Sequence, residues 1–294
     1  MSEIILIDLI NYQPYIQDNI KQLKLFNYNI TIITDSSLIS HFNSLTNINL
    51  ITTENLEINN LEINNYNKKS KLDKTFRNGF WNLTSKRLFY LYLYMKKYNK
   101  NNCFHIENDV LIYDNINIPD KNKVWLTMDN PSRCIAGIMF IPNYTFLEPL
   151  INNYNYQKDD MTNLAIYYNN NLNLCNTFPI INSKKNNTIY SKNFKIFNTI
   201  FDAAAIGQYL GGTDPKKHIG ITEGFINETC VINYSKYNFK WKYDKDKKIY
   251  LPYIIIDNKD ILIANLHIHC KKLSNFSSQN PDKNMFYISV SSKN

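Results

Sequence analysis

The sequence predicts an α/β protein with a Rossmann-like central sheet flanked by helices, and three observations lead there. The chain opens strand, helix, strand, which is the start of a βαβ unit and a parallel sheet. A long amphipathic helix then runs directly into an apolar strand. That strand ends in two carboxylates, Glu107 and Asp109, at the edge where open α/β sheets bind ligands. At 294 residues the length suits one α/β domain spanning 1–294.

Each element follows from local pattern. Residues 4–10 are a β-branched apolar run, and residues 14–26 place Tyr15, Ile16, Ile20, Leu23 and Phe26 at helical spacing. Residues 30–33 form a second strand, closed by Thr34-Asp35-Ser36-Ser37. The asparagine-rich stretch 47–70 reads as surface loop with a weak strand or two. Residues 84–98 are the clearest helix, with Leu88, Leu91, Tyr92 and Met95 on one face, and they lead into the strand 103–106. Strands at 124–128 and 134–141 and helices at 146–154 and 160–168 follow. The last third predicts a short helix at 202–210, the cluster Gly211-Gly212, strands at 229–233 and 253–256, and a closing strand at 261–267.

Composition narrows the function classes. The net charge is +8, but the basic residues are nearly all lysine, arginine being limited to Arg77, Arg87 and Arg133. Nucleic-acid readers lean on arginine and a concentrated basic face, whereas these lysines are scattered among asparagine, isoleucine and tyrosine. Five cysteines without a CxxC pair argue for reduced thiols. The N-terminus has no basic start and its apolar run is broken by Asp8, so it reads as a strand rather than a signal peptide. No segment approaches the roughly 18–20 apolar residues of a membrane span. A cytoplasmic protein is the expectation. Glycine is scarce, seven residues where average usage of about 7% would give about twenty. Gly137, Gly207, Gly211 and Gly212 therefore mark places where the backbone needs positive φ or close approach.

The candidate chemistry begins at Glu107-Asn108-Asp109. Carboxylates at a strand end suit a divalent cation, which can in turn hold a diphosphate; the alternative is an ordinary turn. In a strand, His267 and His269 share a face, so both rings can serve one site, and an imidazole ligand tilts the metal from Mg²⁺ toward Mn²⁺. His269, adjoining Lys271 and Lys272, is favoured, with His267 the alternative. An edge-strand histidine bonded to a carbonyl is the plain structural reading. Asp202 is either the group that orients or deprotonates a hydroxyl or the N-cap of the alanine-rich helix after it. Asp129 and Glu228 stand in reserve as bases.

Taken together, Phe76-Arg77, Phe80-Trp81, Ser85-Lys86-Arg87-Leu88 and His105-Ile106-Glu107-Asn108-Asp109-Val110 resemble the central block of GT-A-fold glycosyltransferases with an Asp-x-Asp metal motif. Cys134 to Pro142, Phe201 to Gly212 and Leu266 to Leu273 are similar, in order, to later segments of glycogenin-like relatives. The resemblance covers roughly residues 3–275. It implies a GT-A-like single domain with a nucleotide-sugar-binding half (about 1–115), an acceptor half (about 116–275) and a tail (276–294). It implies a metal-dependent glycosyltransferase acting on a nucleotide-diphosphate sugar and a glycan or other hydroxyl acceptor. Mn²⁺ or Mg²⁺ would be held by Asp109, His269 and Glu107. Asp8, Arg87, Asn108, Gly137, Lys271 and Lys272 would hold the donor, with Asp35 near its base and ribose. Gly211 and Gly212 would lie on the acceptor side and Asp202 would be catalytic. The sequence departs from the motif at its first acid, which is Glu107. Two other classes remain open: a catalytically silent carbohydrate- or nucleotide-sugar-binding relative, and a basic nucleic-acid-binding protein.

Overall fold

The computed structural model describes residues 2–58, 60–182, 188–216 and 222–283. Its first half is the expected βαβ layout: β1 (Glu3–Asp8), α1 (Ile16–Leu25), β2 (Asn29–Thr34) and β3 (Ile48–Thr52), followed by α2 (Thr53–Glu57), α3 (Leu61–Lys69), α4 (Phe80–Lys97) and β4 (Asn101–Ile106). Then come β5 (Val110–Ile112), β6 (Val124–Asn130), β7 (Arg133–Asn143), α5 (Glu148–Asn152), α6 (Asp160–Asn170) and β8 (Cys175–Thr177). A central sheet of seven strands has the order β3-β2-β1-β4-β7-β6-β8. All its strands run parallel except β7, which is antiparallel to both β4 and β6.

Alternation along β1 shows how both faces are covered. Ile4 and Leu6 pack with Ile16, Ile20 and Leu23 of α1, while Ile5 and Ile7 pack on the other side with Leu88, Leu91 and Met95 of α4. Successive strand residues point to opposite faces, so one apolar run feeds two helical layers. The mixed α/β class and the flanked, mostly parallel sheet are as expected.

Residues 47–70 differ from the loop expected there. The polar residues that looked like loop signals cap helices: Thr52 Oγ1 accepts from Asn55 N–H, and Asn60 Oδ1 accepts from the N–H groups of Glu62 and Ile63. Ile63 and Tyr66 then bury with Phe89 of α4. α4 itself starts at Phe80 rather than at residue 84, behind Gly79, whose φ of 81° is left-handed.

The rest of the chain holds α7 (Phe194–Phe197), β9 (Thr199–Ile200), α8 (Ile206–Gly211), β10 (Asn238–Asp244), β11 (Ile249–Ile256), β12 (Lys259–Ile263) and β13 (Asn265–His267). No strand forms at 229–233, where the chain is turn and bend. β10, β11 and β12 form an antiparallel meander, with β9 parallel beside β12. The closing strand expected at 261–267 is interrupted at Ala264, and β13 leaves that sheet to pair with β5, setting His267 opposite Val110. Of the tail expected at 276–294, residues 284–294 lie outside the described residues. All five cysteines are buried and unpaired, and among the described residues no helix is long and apolar enough to cross a membrane.

Candidate functional site

The site begins where β4 ends. Glu107 N–H donates to Gly137 O and Val110 N–H to Glu107 O, closing a tight turn. Asn19 of α1 donates its amide to the carbonyls of Glu107 and Asn108. Asn108 Nδ2 donates to Ile7 O and to Asp8 Oδ1, each at 3.1 Å. Backbone and amide bonds therefore aim the two acids before any ligand arrives. The β5–β13 pairing, reinforced by Ile268 N–H to Asp109 O at 2.8 Å, brings the C-terminal histidine segment against them.

His267 Nε2 lies 3.3 Å from Glu107 Oε2 and 3.2 Å from Asp109 Oδ1. The second oxygen of each acid is taken: Arg87 pairs with Glu107 Oε1 and Lys271 with Asp109 Oδ2. Arg87 also reaches Asp160 Oδ2 at 3.5 Å. Burial alone would raise both acids, but Arg87 and His267 hold Glu107 below the ordinary carboxylate range, and Lys271 and His267 hold Asp109 well below it. Burial works against the charge on His267, which Asp109 and Glu107 nevertheless raise above its usual value. Lys271 is raised by Asp109 in the same way.

This donor set fits a divalent cation. Glu107, Asp109 and His267 each offer one ligand atom, and those atoms lie within 4.8 Å of one another. A cation about 2.1–2.3 Å from each donor would separate adjacent donors by roughly 3.0–3.3 Å, close to the spacings around His267 Nε2. Two carboxylates with one imidazole suit Mn²⁺ better than Mg²⁺. The His267 proton and a cation would compete for the same point.

The favoured histidine changes accordingly. His267 is the histidine grouped with the two carboxylates; His269, whose charge also acts on Asp109, stands beside it with ring centroids 4.3 Å apart and meets Gln208 Nε2 through Nδ1 at 3.0 Å. The two residues do not lie in one strand, because β13 ends at His267. His267→Ala is expected to weaken Mn²⁺ binding at least tenfold, and His269→Ala less than threefold, in calorimetric titration. Equal losses would return His269 to the ligand set.

Asp202 is placed as scaffold. Only 1% exposed, its Oδ1 accepts from the N–H groups of Ala205 and Ile206, and its Oδ2 from those of Gly207 and His267. Four backbone donors occupy its acceptor capacity, so its side chain supports the start of α8, whose N-cap position is Ala205 rather than Asp202, and the strand at His267. Gly137 sits under the His267 ring, where an added Cβ would meet Nδ1 at 3.1 Å, so it makes room for a site residue rather than lining the neighbouring cavity. Gly211 packs on Phe276 and Cys270, and Gly212, at φ 86°, ends α8. Neither lines the cavity. Lys272 precedes the last 3-10 turn and does not line it either.

Asp8 does line the cavity, at the end of β1. Burial, with a smaller contribution from Asp35, pushes it up to about 7. Asp35 itself accepts from Ile10 N–H and Thr53 Oγ1 and lies outside the lining. Because the folded Asp8 value lies above the unfolded one, its contribution to stability is fully present below about pH 4 and is lost as pH rises toward 7. Asp8→Asn is therefore expected to raise stability at pH 8 by roughly 2–4 kcal/mol and to leave it unchanged near pH 4. Urea melts at the two pH values check this.

The cavity measures about 650 Å³ and gathers Glu107, Asn108, Asp109, Arg87, His267 and Lys271 along one side. Several lining residues were not foreseen. Asp160, at the start of α6, accepts from Thr84 Oγ1 and is pushed up to about 6 by burial; in the sequence it looked like a helix-start acid. Arg133 pairs with the buried Asp129, whose carboxyl burial also raises to about 6. Arg77 pairs with Asp214 across the chain. The reserve Glu228 lines the cavity, whereas Asp129 does not. The rarity of arginine was the signal for Arg133; Arg77 also stands in the Phe76-Arg77 segment of the resemblance.

No protein-family model and no curated protein matches the chain. Solved structures similar to it include glycosyltransferases. They include the PaToxG glycosyltransferase, at 14% identity over 57% of this chain and 68% of that one, with a TM-score of 0.39. Mouse xyloside xylosyltransferase 1 in its apo form shares 10% identity over 60% of this chain and 85% of its own, with a TM-score of 0.41. The galactosyltransferase LgtC, in complex with donor and acceptor sugar analogues, shares 11% identity over 60% and 73%, with a TM-score of 0.41.

Proposed function

We propose that the protein is a metal-dependent glycosyltransferase of GT-A-like build that moves a sugar from a nucleotide-diphosphate sugar to an acceptor hydroxyl. One observation carries the reading: Glu107, Asp109 and His267 converge beside Lys271 and Arg87, at the carboxyl edge of a mostly parallel sheet, in a cavity of about 650 Å³. A mixed set of hard anionic donors and side-chain cations suits a diphosphate better than it suits a neutral ligand.

A cation, preferably Mn²⁺, held by Glu107, Asp109 and His267 would neutralise the donor diphosphate and the charge that grows on it as the glycosidic bond breaks. Lys271 Nζ, already beside Asp109, is placed to share its charge with the same phosphate oxygens. Arg87, held between Glu107 and Asp160, keeps Glu107 ionised and oriented. Asn108 and Asp8 form the wall at the end of β1, where the nucleoside would lie. Glu228 is the cavity-lining carboxylate left to act on the acceptor hydroxyl.

The test is nucleoside-diphosphate release from a panel of nucleotide sugars by purified protein, with Mn²⁺ and with chelator. Release that requires the metal supports the reading; absence of release from every donor overturns it. A silent nucleotide-sugar binder is the second reading, favoured by the ion pairs that already neutralise both acids, and it predicts nucleotide binding without release.

A further inference from the structure

Resting on that reading, we propose that the aromatic wall at the start of α4 is the acceptor subsite and that it takes a pyranose ring. Phe80, Leu83, Thr84 and Arg87 all line the cavity and recur at helical spacing on one face of α4. Arg87 sits at the carboxylates, and Phe80 stands two turns earlier, about 10 Å along the axis. That distance leaves room for one sugar between the diphosphate end and the wall.

The wall is aromatic and partly open. Phe76 is 40% exposed; its ring runs nearly parallel to that of Trp81, at 9° with centroids 6.5 Å apart, and Phe80 meets Trp81 edge-on at 4.9 Å. Around these rings stand groups suited to hydroxyls. The Arg77 guanidinium lies 4.6 Å over the Phe80 ring and pairs with Asp214, and Asn227 and Thr229 line the same cavity. A wholly apolar occupant would strip water from the Arg77–Asp214 pair without replacing its hydrogen bonds. A flexible polyol would leave the rings without a face to cover. A pyranose has an apolar C–H face and a rim of hydroxyls, and it satisfies both.

Trp81 supplies the readout. Of the three tryptophans, Trp125 is 1% exposed and Trp241 lies on β10, so Trp81 is the one that lines the cavity. The full-length protein is titrated with methyl glycosides of glucose, galactose, mannose, xylose and N-acetylglucosamine while tryptophan fluorescence is followed, with glycerol and free nucleosides as comparison ligands. At least one pyranoside is expected to give a saturable change that disappears in Trp81→Phe and weakens about tenfold in Phe76→Ala, an exposed position that tolerates truncation. In transfer assays with that pyranoside, Phe76→Ala and Asp214→Asn should raise the acceptor KM about tenfold more than the donor KM. If nucleotide sugar is turned over but every pyranoside is silent, the subsite is wrong and the transferase reading stands. A Trp81 response to free nucleosides instead would assign the wall to the donor base and overturn the proposal. Pyranoside binding without nucleotide release from any donor would overturn the transferase reading, and the acceptor role with it.

Discussion

Asp109→Asn is expected to abolish Mn²⁺-dependent nucleotide-diphosphate binding, with affinity falling at least a hundredfold while the fold persists. Asp109 is the member of the cluster with the most at stake: Oδ1 faces His267 at 3.2 Å and Oδ2 faces Lys271. An amide keeps the volume and one acceptor but removes the charge that holds a cation. It also removes the leading reason for His267 to keep its raised value. Asp109→Ala is the poorer test, because the buried His267 and the half-buried Lys271 would lose the acceptor as well as the charge, and breaking a buried pair on one side costs about 3–5 kcal/mol. The Asn variant keeps the volume and one acceptor, so it should lose less stability than Ala, and it should show none of the stabilisation that excess nucleotide and Mn²⁺ give the native state. Calorimetry with a nucleoside diphosphate and Mn²⁺ measures the loss directly. Undiminished binding in the folded variant would remove Asp109 from the metal site.

How much of this was legible follows the range of each interaction. The parallel sheet, α4 and the position of the acids at the end of β4 come from patterns within a few residues of one another, and sequence spacing reports those well. The choice of histidine depends on where β13 stops. It ends at His267, whose partner is Val110, a pairing across distant parts of the chain; Lys271, at φ 62°, then turns back toward Asp109. The rule that alternate residues share a face holds only inside a strand, so it could not rank His267 against His269. Asp202 was ambiguous for a similar reason. A cap and a base look alike in sequence, and the deciding contact is His267 N–H at 2.9 Å. Asparagine misled at 47–70 because the same residue that suits turns also caps helices, as Asn60 does. Of the four glycines singled out, Gly211 and Gly212 do not line the cavity, and the other two lie against His267. Gly137 and Gly207 both mark the site because they leave space for His267 itself, one beside its ring and the other against its carbonyl.

Gly207→Ala is expected to be strongly destabilising. Its Cβ would lie 2.0 Å from His267 O and 2.7 Å from His267 C, backbone atoms of a strand fixed by pairing with β5. Nothing flexible is available to yield, so α8 must retreat from β13. Retreat pulls Gly207 N–H from Asp202 Oδ2, now at 2.8 Å, and loosens the carboxylate that also holds His267 N–H. Overpacking together with a disturbed buried carboxylate should cost more than about 3 kcal/mol, upward of about 5 °C in Tm for a chain of this size. Gly211→Ala, whose Cβ would meet the ring edge of Phe276 at 3.0 Å, should cost less because the overlap is smaller and falls on side chains rather than backbone. Denaturant melts rank the two, and a Gly207→Ala protein as stable as the parent would show that α8 is not wedged against His267. Asp202→Asn separates the two roles once considered for that acid. A catalytic base would lose kcat at unchanged stability. A scaffold would instead lose Tm, because the amide nitrogen sets a donor against backbone N–H donors, and Mn²⁺ affinity would fall as His267 drifts from Glu107 and Asp109.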